Sequence, residues 1–396
     1  MSILLYTRIR GTVARYMDPQ VDESTLDRVV LLVTGMIGSE SVSPARIAQA
    51  VHTLGLSDAT VESIERRIRR IENDPAITAS LCFHRLAWQR LHWGKPHELR
   101  LAIDPTTQDE RVVMLTVTVQ YRGRALPLVW AVWPAHTPLT GARFWARVAT
   151  LMDAVADLLP VQTRIIWLAD RAFGTPAFTD LVTGRGWFYI VRVQGQTHCR
   201  DRRGLERTLR SLVSAPRDRR KLSGEVFKKR GWRRASVVVY WGKRHKSPLC
   251  LVTNVGAQWE VIYGYRQRYA IEAFFRDCKS AGWQWEANQV TDLAHTERLL
   301  VGLALATWLV VGVGAQVAQE LLARPATPRR TRPDRAKYSL FSLGLERLRL
   351  WWASLCHTRL AWSLDDWSAP IWSAQLTTHH VRAFVFQSTR SRYLGS

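Results

Sequence analysis

At 396 residues the chain is long enough to bury a sizeable core and to divide into two or three domains. Its 56 Lys and Arg against 33 Asp and Glu give a formal charge of +23, a field that attracts polyanions, nucleic acid before membrane, and more than solubility alone needs. Five cysteines (Cys82, Cys199, Cys250, Cys278, Cys356) without CxxC spacing suggest neither a zinc site nor a disulfide framework, and the N-terminus carries no clean apolar signal segment, which points to an intracellular protein.

Residues 1–96 read as helical: "LDRVVLLVTGMI", "SPARIAQAVHTLG" and "SDATVESIERRIRRIEND". A Gly-containing turn separates the last two, with Ser57 or Asp58 placed to cap the second. Arg66, Arg67, Arg69 and Arg70 surround much of that helix. A helix-turn-helix with a basic recognition helix fits the pattern, and so does an ordinary charged surface helix. The aromatics of "FHRLAWQRLHWGKPH" suit packing equally well.

The period then changes. "HELRLAID" reads as a short apolar strand ending in Asp104, and "VVMLTVTVQYRGRALPLVWAVW" as a hairpin with Arg122 and Gly123 near its turn. A helix over Gly141–Leu159 follows, then "RIIWLADRAFG", a buried-type strand ending in Asp170, and "WFYIVRV". This order predicts an α/β core with a mixed sheet flanked by helices. Both aspartates fall at the C-terminal ends of apolar strands, where such sheets present ligand sites, although an isolated Asp there commonly serves a turn or cap.

Residues 196–247 are very basic, with strand-like alternation in the second half, and read as a β-rich insertion subdomain lying along nucleic acid. Trp232 and Trp241 are candidates for stacking on an unpaired or flipped base; beside the apolar run Val237–Tyr240, Trp241 also suits the core.

In "YRQRYAIEAFFRDCK" (Tyr265–Lys279), the acid Glu272 stands among three cations at helical spacing, Arg268 four residues before it, Arg276 four after and Lys279 seven after. At about 100° per residue, Tyr265, Arg268, Glu272 and Lys279 fall within roughly 60° of arc, and Arg276 joins them. Ile271, Phe274 and Cys278 project to the opposite side, as in an amphipathic helix on a core. A solvated ladder of Arg268, Glu272 and Arg276 is the plain alternative, worth a few tenths of a kcal/mol per pair. Lys279, two turns or about 10 Å beyond Glu272, is too far to pair with it but suits a neighbouring phosphate.

The uncharged stretch "LLVGLALATWLVVGVGA" (Leu299–Ala315) approaches the lower limit for a membrane span, but in this basic chain it reads as a buried core helix. Residues 323–337 form a proline- and arginine-rich connector. The Trp-rich, partly helical region 338–396 suits protomer contact, DNA-end binding or packing on the core.

Two aspartates at strand ends and a helix glutamate make an all-oxygen ligand set of the kind Mg²⁺ or Mn²⁺ favours. Two such ions about 3.5–4 Å apart clamp the attacking and leaving oxygens of a phosphodiester. Without metal, three such carboxylates repel one another.

These residues resemble the DDE transposases of bacterial insertion sequences, in the group marked by Tyr-x2-Arg-x3-Glu-x6-Lys. Tyr265, Arg268, Glu272 and Lys279 match that signature at every position. "AID" at Asp104 and "LADRAFG" at Asp170 resemble the two aspartate blocks, with Ala172 where the group more often has Gly. "LVTN" (Leu251–Asn254) and "SLFSLGLERLRL" (Ser339–Leu350) are also similar, so the resemblance spans about residues 95–350.

The resemblance implies a ribonuclease-H-like catalytic domain over 97–195 and 248–322, with Asp104, Asp170 and Glu272 as catalytic residues holding two Mg²⁺ ions, Mn²⁺ substituting. It implies cleavage at transposon ends and transfer of the freed 3′-hydroxyl into target DNA, in some relatives through a hairpin. Arg268 and Lys279 would hold phosphates and Tyr265 the flanking backbone; Arg276, on the same stripe, is a further candidate for DNA contact. The implied partner is double-stranded DNA, in a homodimeric synaptic complex on the bacterial nucleoid, with no membrane. A nuclease that cuts without strand transfer and a domesticated DNA-binding relative are the rival readings.

Overall fold

The computed structural model describes residues 2–279, 282–323 and 338–353. The chain opens with six helices: α1 (Ser2–Tyr16), α2 (Glu23–Ser39), α3 (Pro44–Thr53), α4 (Val61–Glu72), α5 (Ala79–Cys82) and α6 (His84–His92). α4 is strongly amphipathic, with Ile64, Ile68 and Ile71 buried at helical spacing and Arg66, Arg67, Arg69 and Arg70 all exposed. Its cap is Thr60, whose side chain accepts from Ser63 N, rather than the expected Ser57 or Asp58. The helix begins later than the polar run suggests because Val61 is its first residue. On α6, Trp88 and the following Trp93 are 46% and 61% exposed, so neither is a core residue.

Next come β1 (Glu98–Gln108), β2 (Val112–Tyr121) and β3 (Arg124–Pro134), an antiparallel meander. Arg122 and Gly123, with φ of 46° and 79°, form the two-residue turn of the second hairpin, a left-handed pair that matches strand twist. α7 (Gly141–Ala156) crosses to β4 (Arg164–Ala169), and α8 (Pro176–Gly184) to β5 (Phe188–Arg192). β4 runs parallel to β1, and β5 parallel to β4. The strand order β3-β2-β1-β4-β5, three antiparallel strands and then two parallel ones, is that of a ribonuclease-H-like core.

The basic segment after β5 does not form a sheet of its own. β6 (His198–Asp201), β7 (Glu206–Thr208), β8 (Arg219–Val226) and β9 (Arg233–Tyr240) join β10 (Leu249–Thr253), which pairs antiparallel with β5. One ten-stranded mixed sheet results, ordered β3-β2-β1-β4-β5-β10-β9-β8-β6-β7.

α9 (Glu260–Arg266) and α10 (Tyr269–Cys278) follow, then α11 (Leu293–Leu322) and α12 (Leu340–Ala353). α11 is the one helix among the described residues long and apolar enough to cross a membrane, and it is buried between α2, β3 and α12. A Cβ on Gly314 would lie 1.7 Å from Leu340 O, and one on Gly344 1.8 Å from Val310 O, so α11 and α12 meet backbone to backbone. Nearly all of the expected connector, and the terminal region beyond residue 353, lie outside the described residues.

Candidate active site

Sheet register brings the two aspartates together. The parallel ladder between β1 and β4 closes with Ile103 opposite Ala169, and the next residues are Asp104 on β1 and Asp170 just past the end of β4. Neighbouring strands lie about 4.8 Å apart, so the two carboxyls leave adjacent backbones. β1 does not end at Asp104 as expected. It continues to Gln108 because β2 goes on pairing with it, Asp104 opposite Thr116. Asp170, past the end of β4, turns into a short 3₁₀ segment (Arg171–Phe173), and its Oδ1 accepts from Ala172 N at 2.8 Å. It therefore fills the turn role open to any strand-end Asp while facing Asp104.

The glutamate arrives from α10, which packs on β1, β2 and β3. Instead of one continuous amphipathic helix, the segment breaks between α9 and α10. Gln267 N and Arg268 N bond back three residues, to Gly264 O and Tyr265 O, and Ala270 N and Ile271 N do the same, to Gln267 O and Arg268 O. This tighter turn shifts the phase between Tyr265 and Glu272. Tyr265 is consequently not on the surface stripe. It is 1% exposed, and burial pushes its hydroxyl up to about 12 despite the lowering pull of Arg268.

Arg268 is also buried. Its Nη1 donates to Asp104 Oδ2 at 3.1 Å and its Nη2 to Glu272 Oε1, so one guanidinium spans two of the three acids. The rings of Tyr265 and Tyr269 lie 5.8 and 5.0 Å from its carbon. The side chains of Arg268, Asp104 and Glu272 are 8%, 17% and 52% exposed, so the site opens toward solvent on the glutamate side. Burial first, and the charges of Asp170 and Glu272 after it, push Asp104 from 3.8 up to about 7, with Arg268 pulling the other way. Asp104 thus feels the charge of both other acids.

The remaining residues singled out in the sequence divide. Ile271, Phe274 and Cys278 are buried; Arg276 is exposed. Lys279 caps α10 and pairs with Glu286 at 3.0 Å, an acid its spacing from Glu272 could not reveal. Trp232 and Trp241 are half-buried, each with one ring face covered by an arginine, Arg200 at 4.6 Å and Arg210 at 4.2 Å. Trp241 also donates from Nε1 to His245 O. A base could reach only the other face of either ring. Sequence reading missed the buried pair between Arg124 on β3 and Asp277 on α10 (2.9 Å), which no local pattern signals; Lys229 and Arg230, in the basic run after β8, are exposed.

A ready-made metal cage is not what the geometry offers: among the described residues, no group of three or more His, Cys, Asp or Glu is arranged to hold an ion. The donor set nevertheless suits a hard divalent cation, since three carboxylates supply only oxygen and their mutual repulsion calls for positive charge. Here that charge is the Arg268 guanidinium, standing in between Asp104 and Glu272.

The family described as "Transposase DDE domain" matches residues 147–309, a stretch that takes in Asp170 and Glu272 and begins after Asp104. The match supports a DDE transposase. Among solved structures, a piggyBac transposase synaptic complex with hairpin DNA is similar with a TM-score of 0.44 at 8% identity, over 96% of this chain and 80% of that one. Human ENDOV is similar with a TM-score of 0.23 at 14% identity, over 61% of this chain and 98% of that one. Neither likeness is close enough to carry a residue's role. No curated protein matches the chain.

Proposed function

We propose that the protein is a cut-and-paste DNA transposase that cleaves at transposon ends and joins them to target DNA. The observation that carries this reading is the convergence of Asp104 and Asp170 at the end of one parallel ladder, with Glu272 tied to Asp104 through Arg268. It falls in a chain whose middle matches a transposase domain.

Asp104, Asp170 and Glu272 would hold divalent ions, Mg²⁺ with Mn²⁺ as substitute, which supply an activated water and charge neutralisation at a phosphodiester. Hydrolysis breaks one P–O bond and leaves a 3′-hydroxyl. That hydroxyl then attacks a second phosphodiester, exchanging one P–O bond for another, first on the opposite strand where a hairpin forms. Arg268 holds Asp104 and Glu272 in one frame, and Arg276 is free to approach a phosphate from the exposed side of α10. Tyr265 acts from beneath, fixing Arg268, rather than by touching the DNA backbone.

In this reading residues 97–195 and 248–322 are the catalytic domain, and 1–96 with the exposed Arg66, Arg67, Arg69 and Arg70 bind DNA. The strands within 196–247 extend the DNA track along the sheet, and a homodimer on the bacterial nucleoid pairs two ends. Incubating the purified protein with end-containing DNA and Mg²⁺, and resolving products on a denaturing gel, tests it. Cleaved ends and joined products are expected. Cutting without joining would favour a plain nuclease, and DNA binding without cutting a domesticated relative.

A further inference from the structure

A basic cleft of about 410 Å³ lies next to Asp170 and takes no part in the site described above. Arg171, the residue after Asp170, forms one wall, His198 at the start of β6 another, and the turn Lys228–Lys229–Arg230 after β8 closes it. Its lining includes no carboxylate; Glu206, which pairs with Lys228 and His198, stands outside it.

The closing turn is built into the fold. Phe227 sits at φ 74° and Gly231 at φ 89°, so two left-handed residues bracket the three cations. Phe227 N donates to His198 O at 3.1 Å, Arg230 N to Phe227 O at 2.9 Å, and the Phe227 side chain is 6% exposed. A core aromatic therefore anchors a turn whose Lys229 and Arg230 side chains point to solvent with no acid partner among the described residues. The N-terminus of α8, at Thr175 and Pro176, opens onto the same cleft and adds its partial positive charge. The volume exceeds that of a single ion and falls in the range, roughly 300–1,000 Å³, of pockets that take nucleotide-sized groups.

We propose that this cleft binds the sugar-phosphate backbone of a DNA strand beside the cleavage point, on the β5 side of Asp170, opposite the edge where α10 packs on β1 to β3. The proposal rests on the transposase reading and deepens it by giving the strand a path from the carboxylates to the Lys228–Arg230 turn.

The test uses the full chain carrying Lys229→Ala and Arg230→Ala together, with fluorescently labelled end-containing duplex titrated over a salt series. Removing two phosphate contacts lowers the slope of log affinity against log salt by about 1.8, that is two contacts at about 0.9 each, and weakens binding roughly tenfold or more near physiological salt. A Lys229→Cys protein bearing a photoactivatable aryl azide should crosslink to nucleotides within a few positions of the cut. An unchanged slope, or no crosslink near the cut, in protein that still binds and cleaves overturns the cleft and leaves the transposase reading intact. A wild-type protein that neither binds nor cuts DNA overturns both.

Discussion

Arg268 joins Asp104 to Glu272 from a buried position, with two tyrosine rings beside its guanidinium. Removing one member of such a group leaves the others desolvated and unpaired, which is strongly destabilising. Arg268→Ala is expected to lower unfolding stability by roughly 3 kcal/mol at neutral pH, measured by chemical denaturation, with Arg268→Lys in between because it keeps the charge but loses the two-pronged geometry. A loss below about 0.5 kcal/mol would place Arg268 with ordinary surface pairs.

Glu72 offers a residue-scale test in pH. It is 2% exposed, and burial pushes its carboxyl from 4.5 up to about 7 although Arg69 pulls it down. The folded protein therefore holds a proton that the unfolded chain releases. That stability is fully present below about 4.5 and is lost as pH rises through about 7. Asp104, raised to about 7, and Asp277, raised to about 6, act in the same direction. The unfolding free energy should fall between pH 5 and pH 8, and Glu72→Gln should reduce that fall by an amount on the order of 3 kcal/mol, read by chemical denaturation at each pH. An equally steep fall in the variant would remove Glu72 from the account.

Among the elements, α11 and α12 depend on Gly314 and Gly344 for their backbone contact. Gly344→Ala places a methyl against Val310 O, so the helices must separate and the packing around Phe341 and Leu348 must loosen. A cost of about 3 kcal/mol or more in denaturant unfolding is expected; Gly11→Ala, which meets nothing within 4 Å, should be neutral or slightly stabilising. The strands around the aspartates were legible because their alternation and apolar runs are local signals, and "AID" and "LAD" mark equivalent points on paired strands. The break between α9 and α10 was not, since helical spacing continues unbroken through Gln267 and only the backbone bonds reveal the tighter turn. Burial of Tyr265 and Arg268 follows from that turn and was hidden with it.

At the scale of the whole molecule, the +23 charge pointed to a polyanion partner without locating its path. The segment rich in that charge was legible as β-rich and basic. Its union with the core into one ten-stranded sheet was not, because the β5 to β10 pairing, through which the segment joins the core, links residues far apart in sequence. A single continuous sheet makes a rigid platform from the carboxylates to the Lys228–Arg230 turn.

The central claim is that Asp104, Asp170 and Glu272 act as one site, and it is tested most directly by strand cleavage of end-containing DNA in Mg²⁺ by Asp104→Asn, Asp170→Asn and Glu272→Gln proteins. Each should cut at least about a thousandfold more slowly than wild type, on the scale of losing a principal electrostatic group, while binding DNA within a few-fold. Cleavage within tenfold of wild type in any one of the three, with DNA binding intact, would contradict it.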